Sequence, residues 1–90
     1  PQDDGMAVKW FRKAAGQGDA FAQAMVGEMY EAGRGVKQNL EKAAKWYHAA
    51  AIQGDAVAQQ HLSRFYREGL GVLKNASEAD KWLRLTAEED

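Results

Sequence analysis

The sequence predicts an all-α repeat fold, a solenoid of antiparallel helix pairs, and three observations carry that reading. The stretch from Asp19-Ala20-Phe21-Ala22-Gln23 through Tyr30, Gly33-Arg34-Gly35-Val36, Asn39 and Trp46 returns thirty-six residues later. It comes back as Asp55-Ala56-Val57-Ala58-Gln59 through Tyr66, Gly69-Leu70-Gly71-Val72, Asn75 and Trp82. Laying residues 1–54 over 37–90 gives twenty-one identities in fifty-four pairs, far above chance, and a fixed period of this length marks a repeat array. Within each unit the apolar residues follow helical spacing, and the alternation that a sheet would need is absent. Five helices result, in the order B, A, B, A, B, where A and B are the two helix types of the unit.

Pro1-Gln2-Asp3 matches Lys37-Gln38-Asn39 in phase and falls in the loop entering a B helix. Asp3, Asn39 and Asn75 are the expected N-caps, because a short side-chain oxygen accepts from the first free N–H groups. Glu78 is expected to close a capping box with Asn75. The chain therefore reads as part of a longer array, with a half repeat at 1–18 and full repeats at 19–54 and 55–90. The B-helix stripe is Ala7, Trp10, Phe11 and Ala14, then Ala43, Trp46, Tyr47 and Ala50, then Ala79, Trp82, Leu83 and Thr86. Gly18 and Gly54 stand where a left-handed C′ residue ends a helix. Asp19 and Asp55 follow at once and cap the next helix, so the turn is tight and neighbouring helices run antiparallel.

Helix A runs over 20–32 and again over 56–68. Its stripe is Ala22, Val26, Met29 and Tyr30, echoed by Ala58, Leu62, Phe65 and Tyr66. Gly33 and Gly69 end it, and the Gly-x-Gly-Val that follows calls for positive φ.

The totals narrow the function classes. Ninety residues make one small domain, a size at which a core is marginal unless units bury their apolar faces on one another. A net charge of −1 with mixed signs gives no basic face of the kind that nucleic-acid binders need, so nucleic acid and other polyanions are not expected as partners. No apolar run reaches the length of a membrane span, and no signal peptide is visible. With no cysteine there is neither a disulfide framework nor a thiolate site. The chain opens on Pro1 rather than Met, which suits a trimmed or processed protein and leaves cytoplasm, bacterial periplasm and secretion all open.

Trp-Phe/Tyr, Ala-Ala-x-Gln-Gly-Asp-Ala, Ala-Gln, Tyr-x-x-Gly-x-Gly-Val and a cap three residues later stand in register across the chain. In this the sequence resembles the Sel1-like repeat family, tetratricopeptide-related α/α repeats, over about two and a half repeats. The resemblance implies a right-handed α/α solenoid and a protein–protein interaction scaffold or adaptor whose A helices line a concave surface. Gly27 gives way to Ser63 in the second copy, and Thr86-Ala87 replaces the double alanine. The family's cysteine-rich branch, linked to β-lactam binding, carries paired cysteines that this chain lacks. Two further readings remain beside the scaffold: an inhibitor or immunity protein for a bacterial effector, and a β-lactam-binding enzyme like that branch.

Comparison of the two copies separates scaffold from surface. Ala22/Ala58, Gln23/Gln59, Val26/Leu62, Met29/Phe65 and Tyr30/Tyr66 keep their character, whereas Ala24/Gln60, Met25/His61, Glu28/Arg64 and Glu31/Arg67 change it. At about 100° per residue the two sets fall on roughly opposite faces. Phe21, Met25 and Glu28 with Val57, His61 and Arg64 are the candidate partner-binding residues. The alternative for the same residues is ordinary solvated surface, with Glu28–Arg64 and Glu31–Arg67 as inter-repeat ion pairs of about 0–1 kcal/mol each.

Trp10, Trp46 and Trp82 invite a ligand-cage reading, but their repeat spacing on the B stripe points to core. Gly33-Arg34-Gly35 is a structural turn, since no Gly-Lys-Ser/Thr follows and Leu70 replaces the arginine in the second copy. His48 and His61 are not spaced as metal ligands, and no nucleophile–base pair or carboxylate couple is visible. No catalytic residue, cofactor or metal is expected. Uncovered apolar residues at the ends, Trp10 and Phe11 with Leu83 and Leu85, make end-to-end self-association an expectation.

Overall fold

Each B helix stops and the A helix after it begins within one compact turn, and that turn sets the pair antiparallel. The computed structural model describes residues 4–88 and contains α1 (Asp4–Gly16), α2 (Ala20–Ala32), α3 (Leu40–Ala51), α4 (Ala56–Glu68) and α5 (Ala76–Glu88). At the end of α1, Gly18 N–H donates to Ala15 O and Asp19 N–H to Ala14 O, with Gly18 at φ 94°. Gly54 at φ 96° and Asp55 repeat this pattern on Ala51 O and Ala50 O at the end of α3. These are the paired bonds of a Schellman cap, in which glycine avoids the Cβ strain of positive φ. Asp19 Oδ1 then accepts from Ala22 N–H at 2.9 Å, and Asp55 Oδ1 from Ala58 N–H at 2.8 Å, so one aspartate closes one helix and caps the next.

The longer A-to-B connection is as determined. Gly33 and Gly69, both at φ 72°, end α2 and α4. The loop turns back so that Asn39 N–H donates to Tyr30 O and Asn75 N–H to Tyr66 O. Asn39 and Asn75 cap α3 and α5 through Lys42 N–H and Glu78 N–H. The expected capping box does not form: the Asn75 N–H that Glu78 would have accepted from is bonded to Tyr66 O, and Glu78 pairs with Lys81 at 3.4 Å. The third expected cap, Asp3, lies outside the described residues. Gly71 lies on the first turn of α3, where a Cβ at its position would sit 2.2 Å from Leu40 O.

Each helix packs on its neighbours in sequence, α1 on α2, α2 on α3, α3 on α4 and α4 on α5, in an elongated body of 39 × 24 × 19 Å. The described residues are helices, turns and loops without a strand, as expected of an α/α solenoid of antiparallel pairs. The core contains the A-helix stripe, with Ala22, Val26, Met29, Tyr30, Ala58, Leu62 and Phe65 all buried, and Tyr66 half-buried. Two glutamine side chains are buried beside it. Gln23 Nε2 donates to Ala15 O at 3.2 Å while its Oε1 accepts from Gln53 Nε2 at 2.9 Å. Gln59 Nε2 donates to Ala51 O at 3.1 Å, and Thr86 Oγ1 lies 3.1 Å from Gln59 Oε1. Thr86, in place of the alanine of the other units, supplies the hydroxyl that meets this second amide.

The three tryptophans correct the expectation that all would be core. Trp82 is 4% exposed, Trp46 is half-buried and Trp10 is 69% exposed. Each indole packs toward the preceding B helix: Trp82 meets His48 edge-on at 5.8 Å, whereas Trp10 has no described B helix before it. The fully buried aromatic of α3 is instead Tyr47, with Phe65 edge-on at 5.3 Å and the His61 ring stacked at 4.6 Å. Gly27 lies against this ring, since a Cβ there would sit 2.8 Å from Tyr47 Cδ1. In the second unit Leu83 stands at the position of Tyr47, and Ser63 replaces Gly27 and donates to Ala79 O at 2.7 Å. The glycine-to-serine departure thus follows from the loss of the aromatic ring opposite.

Tyr47→Ala is expected to cost about 3–5 kcal/mol, as removal of a fully buried aromatic ring does. In a domain of this size that lowers Tm by on the order of 10 °C or more. Trp46→Ala should cost clearly less, and thermal melts of the two variants showing the reverse order would refute this assignment of the core.

Candidate functional site

The candidate residues come from two successive A helices presenting equivalent positions. Phe21 and Val57 stand in the first turns of α2 and α4 and are 63% and 51% exposed. Phe21 has the ring of Phe11 as an edge-on neighbour at 6.2 Å. Met25 and Glu28 lie one and two turns further along α2, both half-buried, and border a small cleft of about 230 Å³ with Phe11, Met29 and Arg34. His61 and Arg64 are half-buried at the corresponding points of α4.

The polar members meet in a register different from the expected one. Equivalent positions lie thirty-six residues apart, but the pairs that form are His61 Nε2 with Glu28 Oε2 at 3.6 Å and Arg64 Nη2 with Glu31 Oε2 at 2.6 Å, each thirty-three apart. The expected Glu28–Arg64 and Glu31–Arg67 pairs are replaced because Tyr47 fixes the Glu31 carboxylate, donating its hydroxyl to Oε1 at 2.7 Å. Arg64, one turn before Arg67, is the cation within reach of the other oxygen, and Arg67 stays exposed. Arg64 Nη2 also lies 3.2 Å from His61 Nδ1, and that nitrogen is 3.9 Å from Glu31 Oε1. Ala24, grouped with the variable surface from the sequence, is buried at 3% exposure. Alanine is small enough to sit at the helix contact, and Gln60 at the same place in α4 is exposed.

The network ties three helices together: Glu28 and Glu31 from α2, Tyr47 from α3, His61 and Arg64 from α4. Burial works against the charge on Glu31, but the hydrogen bonds from Tyr47 and Arg64 and the charge of Arg64 outweigh it and hold the carboxyl below its ordinary value. Burial, then the hydrogen bond to Glu31 and its negative charge, push the Tyr47 phenol well above its usual range, so it stays a donor. With a hydrogen bond on each oxygen, the Glu31 carboxylate holds Tyr47 and Arg64 in place. The described residues contain no group of three or more His, Cys, Asp or Glu arranged to hold a metal.

The structure therefore joins Glu28, His61 and Arg64 directly, sets Met25 beside Glu28, and leaves Phe21 and Val57 as exposed apolar residues at the other end of the row. Reading the sequence missed Phe11, Glu31 and Tyr47 as members of the site. Tyr47 carried a signal that went unused: it is the only phenol among Phe11, Tyr47 and Leu83, and its hydroxyl needs a polar partner once the ring is buried.

The Sel1 repeat model matches residues 1–19, 20–55 and 56–90. The chain belongs to the Sel1 repeat family. A Sel1 repeat protein from Oxalobacter formigenes is 42% identical, superposes with a TM-score of 0.93, and is matched over 96% of this chain and 35% of that one. A protective antigen present in uropathogenic Escherichia coli strains, displaying an SLR fold, is 40% identical with a TM-score of 0.95, over 99% of this chain and 19% of that one. The present chain thus spans about a third and a fifth of those two bacterial proteins. No curated protein sequence matches it significantly. Sel1 repeats generally serve as protein-interaction scaffolds, and their fold is typically non-enzymatic. Among the described residues no helix is long and apolar enough to cross a membrane.

Glu31 gives the acid limb of stability a definite sign. Its folded pKa is depressed, so its contribution is complete above the ordinary value of 4.5 and is lost as pH falls through the lower folded value. Glu31→Gln should melt below the parent at pH 7, and the gap should close as pH drops below about 4.5. A gap that stays constant down to pH 3 would show that the charge on Glu31 is not what stabilises the network.

Proposed function

We propose that this Sel1 repeat segment binds a partner protein or peptide across its row of A helices, the concave surface of the solenoid. Phe21, Met25 and Val57 provide the apolar contacts, and Glu28, His61 and Arg64 the polar ones. The observation that carries the reading is the division of one continuous row. Two large apolar side chains are left more than half exposed beside charged groups already held in place by Tyr47 and by one another. Exposed apolar residues grouped beside oriented polar groups are the usual makings of a recognition surface. Side chains fixed before the partner arrives lose less conformational entropy on binding, which favours an extended peptide or a helix laid along the row.

Affinity capture from the source cell's lysate, comparing the parent with a Phe21→Glu, Met25→Lys, His61→Glu variant, tests this. A protein retained by the parent and lost by the folded variant is expected, and equal retention by both would move the site off the A-helix face. The same reading takes the uncovered ends as self-association surfaces of the isolated chain. Met6 and Trp10 are 61% and 69% exposed at one end, and Leu83 and Leu85 50% and 37% at the other. Light scattering should show mass rising with concentration, and a strict monomer at high concentration would count against it.

A further inference from the structure

The net charge of −1 conceals a local group of cations outside the candidate site. Between α1 and α3 lies an open cleft of about 440 Å³ lined by Arg12, Tyr30, Lys42, Lys45, Trp46 and Ala49. None of these residues belongs to the candidate site above. Three exposed cations and two aromatic rings border it, with no carboxylate in its lining. Lys42 Nζ stands over the Tyr30 ring at 5.5 Å, and the half-buried indole of Trp46 forms part of the wall. A second cleft continues past Tyr30 and Lys42 to Val36 and Lys37, adding a fourth cation.

The repeat supplies an internal control. Moving every lining residue on by one period replaces Arg12, Tyr30, Lys42, Lys45, Trp46 and Ala49 with His48, Tyr66, Glu78, Lys81, Trp82 and Leu85. There the polar pair is neutralised, Glu78 with Lys81 at 3.4 Å, and His48 lies edge-on to Trp82, which is only 4% exposed. The fold thus keeps the tyrosine, the tryptophan and one lysine but has no need of Arg12 and Lys42. Gathering like charges works against folding, modestly in a solvated cleft. In the second unit the charges are balanced and the indole is covered, whereas in the first no lining carboxylate balances the cations and the indole is only half-buried.

We infer that this cleft is a second docking site, for an acidic peptide segment of a partner protein. Two or three carboxylates would meet the guanidinium of Arg12 and the ammonium groups of Lys42 and Lys45, and an adjacent apolar side chain would lie on the Trp46 indole. The planar guanidinium suits a carboxylate through paired hydrogen bonds, and the lysines supply point charges on either side. The volume lies within the range of about 300–1,000 Å³ typical of ligand pockets, enough for a short segment rather than a domain. A peptide is favoured over a nucleic acid because the run of cations is short, Arg12, Lys45, Lys42 and Lys37, against the groove of several nucleotides that a single strand needs.

The test titrates the isotopically labelled full chain at low salt with the blocked hexapeptide Asp-Glu-Leu-Asp-Glu-Phe, following the Trp46 indole N–H and Arg12 Nε–H resonances. Saturable shifts at both are expected. The peptide carrying Asn and Gln in place of the acids should bind at least tenfold more weakly. The variant Arg12→His, Lys42→Glu gives the first cleft the polar residues of the second unit, which the scaffold already accommodates. It should keep its melting temperature and lose at least tenfold in affinity. Should that pair disturb folding, Lys42→Gln with Lys45→Gln is to weaken binding in the same way. Absence of shifts at Trp46 up to millimolar peptide would overturn the proposal. So would unchanged binding by the folded variants, or tighter saturable binding of a ten-nucleotide single-stranded DNA at the same resonances.

Discussion

Two buried glutamine amides set the spacing of this solenoid. Gln23 and Gln59 are 7% and 2% exposed, and each can be tolerated there only if its polar atoms find partners. An unsatisfied buried amide costs about 1–3 kcal/mol, comparable to a sizeable fraction of the stability of a domain this small. Each Nε2 reaches back to a carbonyl at the end of the preceding B helix, and each Oε1 meets a donor at the far end of the next one, Gln53 in the turn after α3 and Thr86 in α5. One side chain therefore holds three successive helices in register. Apolar packing alone would tolerate sliding by a fraction of a turn, but this hydrogen-bond geometry does not.

That register determines which charges meet on the A-helix face. With α2, α3 and α4 locked, the Tyr47 hydroxyl projects to Glu31, and Glu31 in turn selects Arg64 rather than Arg67. His61 then fills the space over the Tyr47 ring, 4.6 Å away and nearly parallel, with its far nitrogen toward Glu28. The polar half of the face is thus an outgrowth of the core, built on a phenol whose ring is fully buried. Its apolar half, Phe21 and Val57, lies in the first turns of the same helices and has no such support from below.

The fold was legible in the sequence because a repeat states each structural instruction more than once. The Gly-Asp turn, the Gly-x-Gly-Val loop and the asparagine caps recur in phase, and each has a local cause that needs no knowledge of the tertiary structure. The candidate site was legible only as a set of helix positions. Which glutamate meets which cation depends on the offset between helices, and that offset is fixed by Gln23, Gln59 and Tyr47 acting across units. Periodicity likewise placed Trp10, Trp46 and Trp82 on one stripe but could not grade their burial. An indole that packs toward the previous B helix is covered according to what precedes it: His48 lies edge-on to Trp82, whereas an open cleft separates Arg12 and Trp46. The cationic cleft escaped for a related reason: Arg12, Lys42 and Lys45 come from two different units, and the summed charge averages them away.

Asp19 and Asp55 each finish one helix and start the next, and Gly71 lies so close to the Leu40 carbonyl that a methyl group would not fit. Neither kind of connection has slack. An inserted residue in the Gly-Asp turn would part the left-handed cap from the aspartate that starts the next helix, and one in the glycine loop would lift that loop off the next helix. Chains built this way can change length by whole units far more easily than by single residues. Duplication and deletion of the entire thirty-six-residue block are the permitted moves, and variety between proteins of this construction must be written in side chains, on the faces that the core leaves uncommitted.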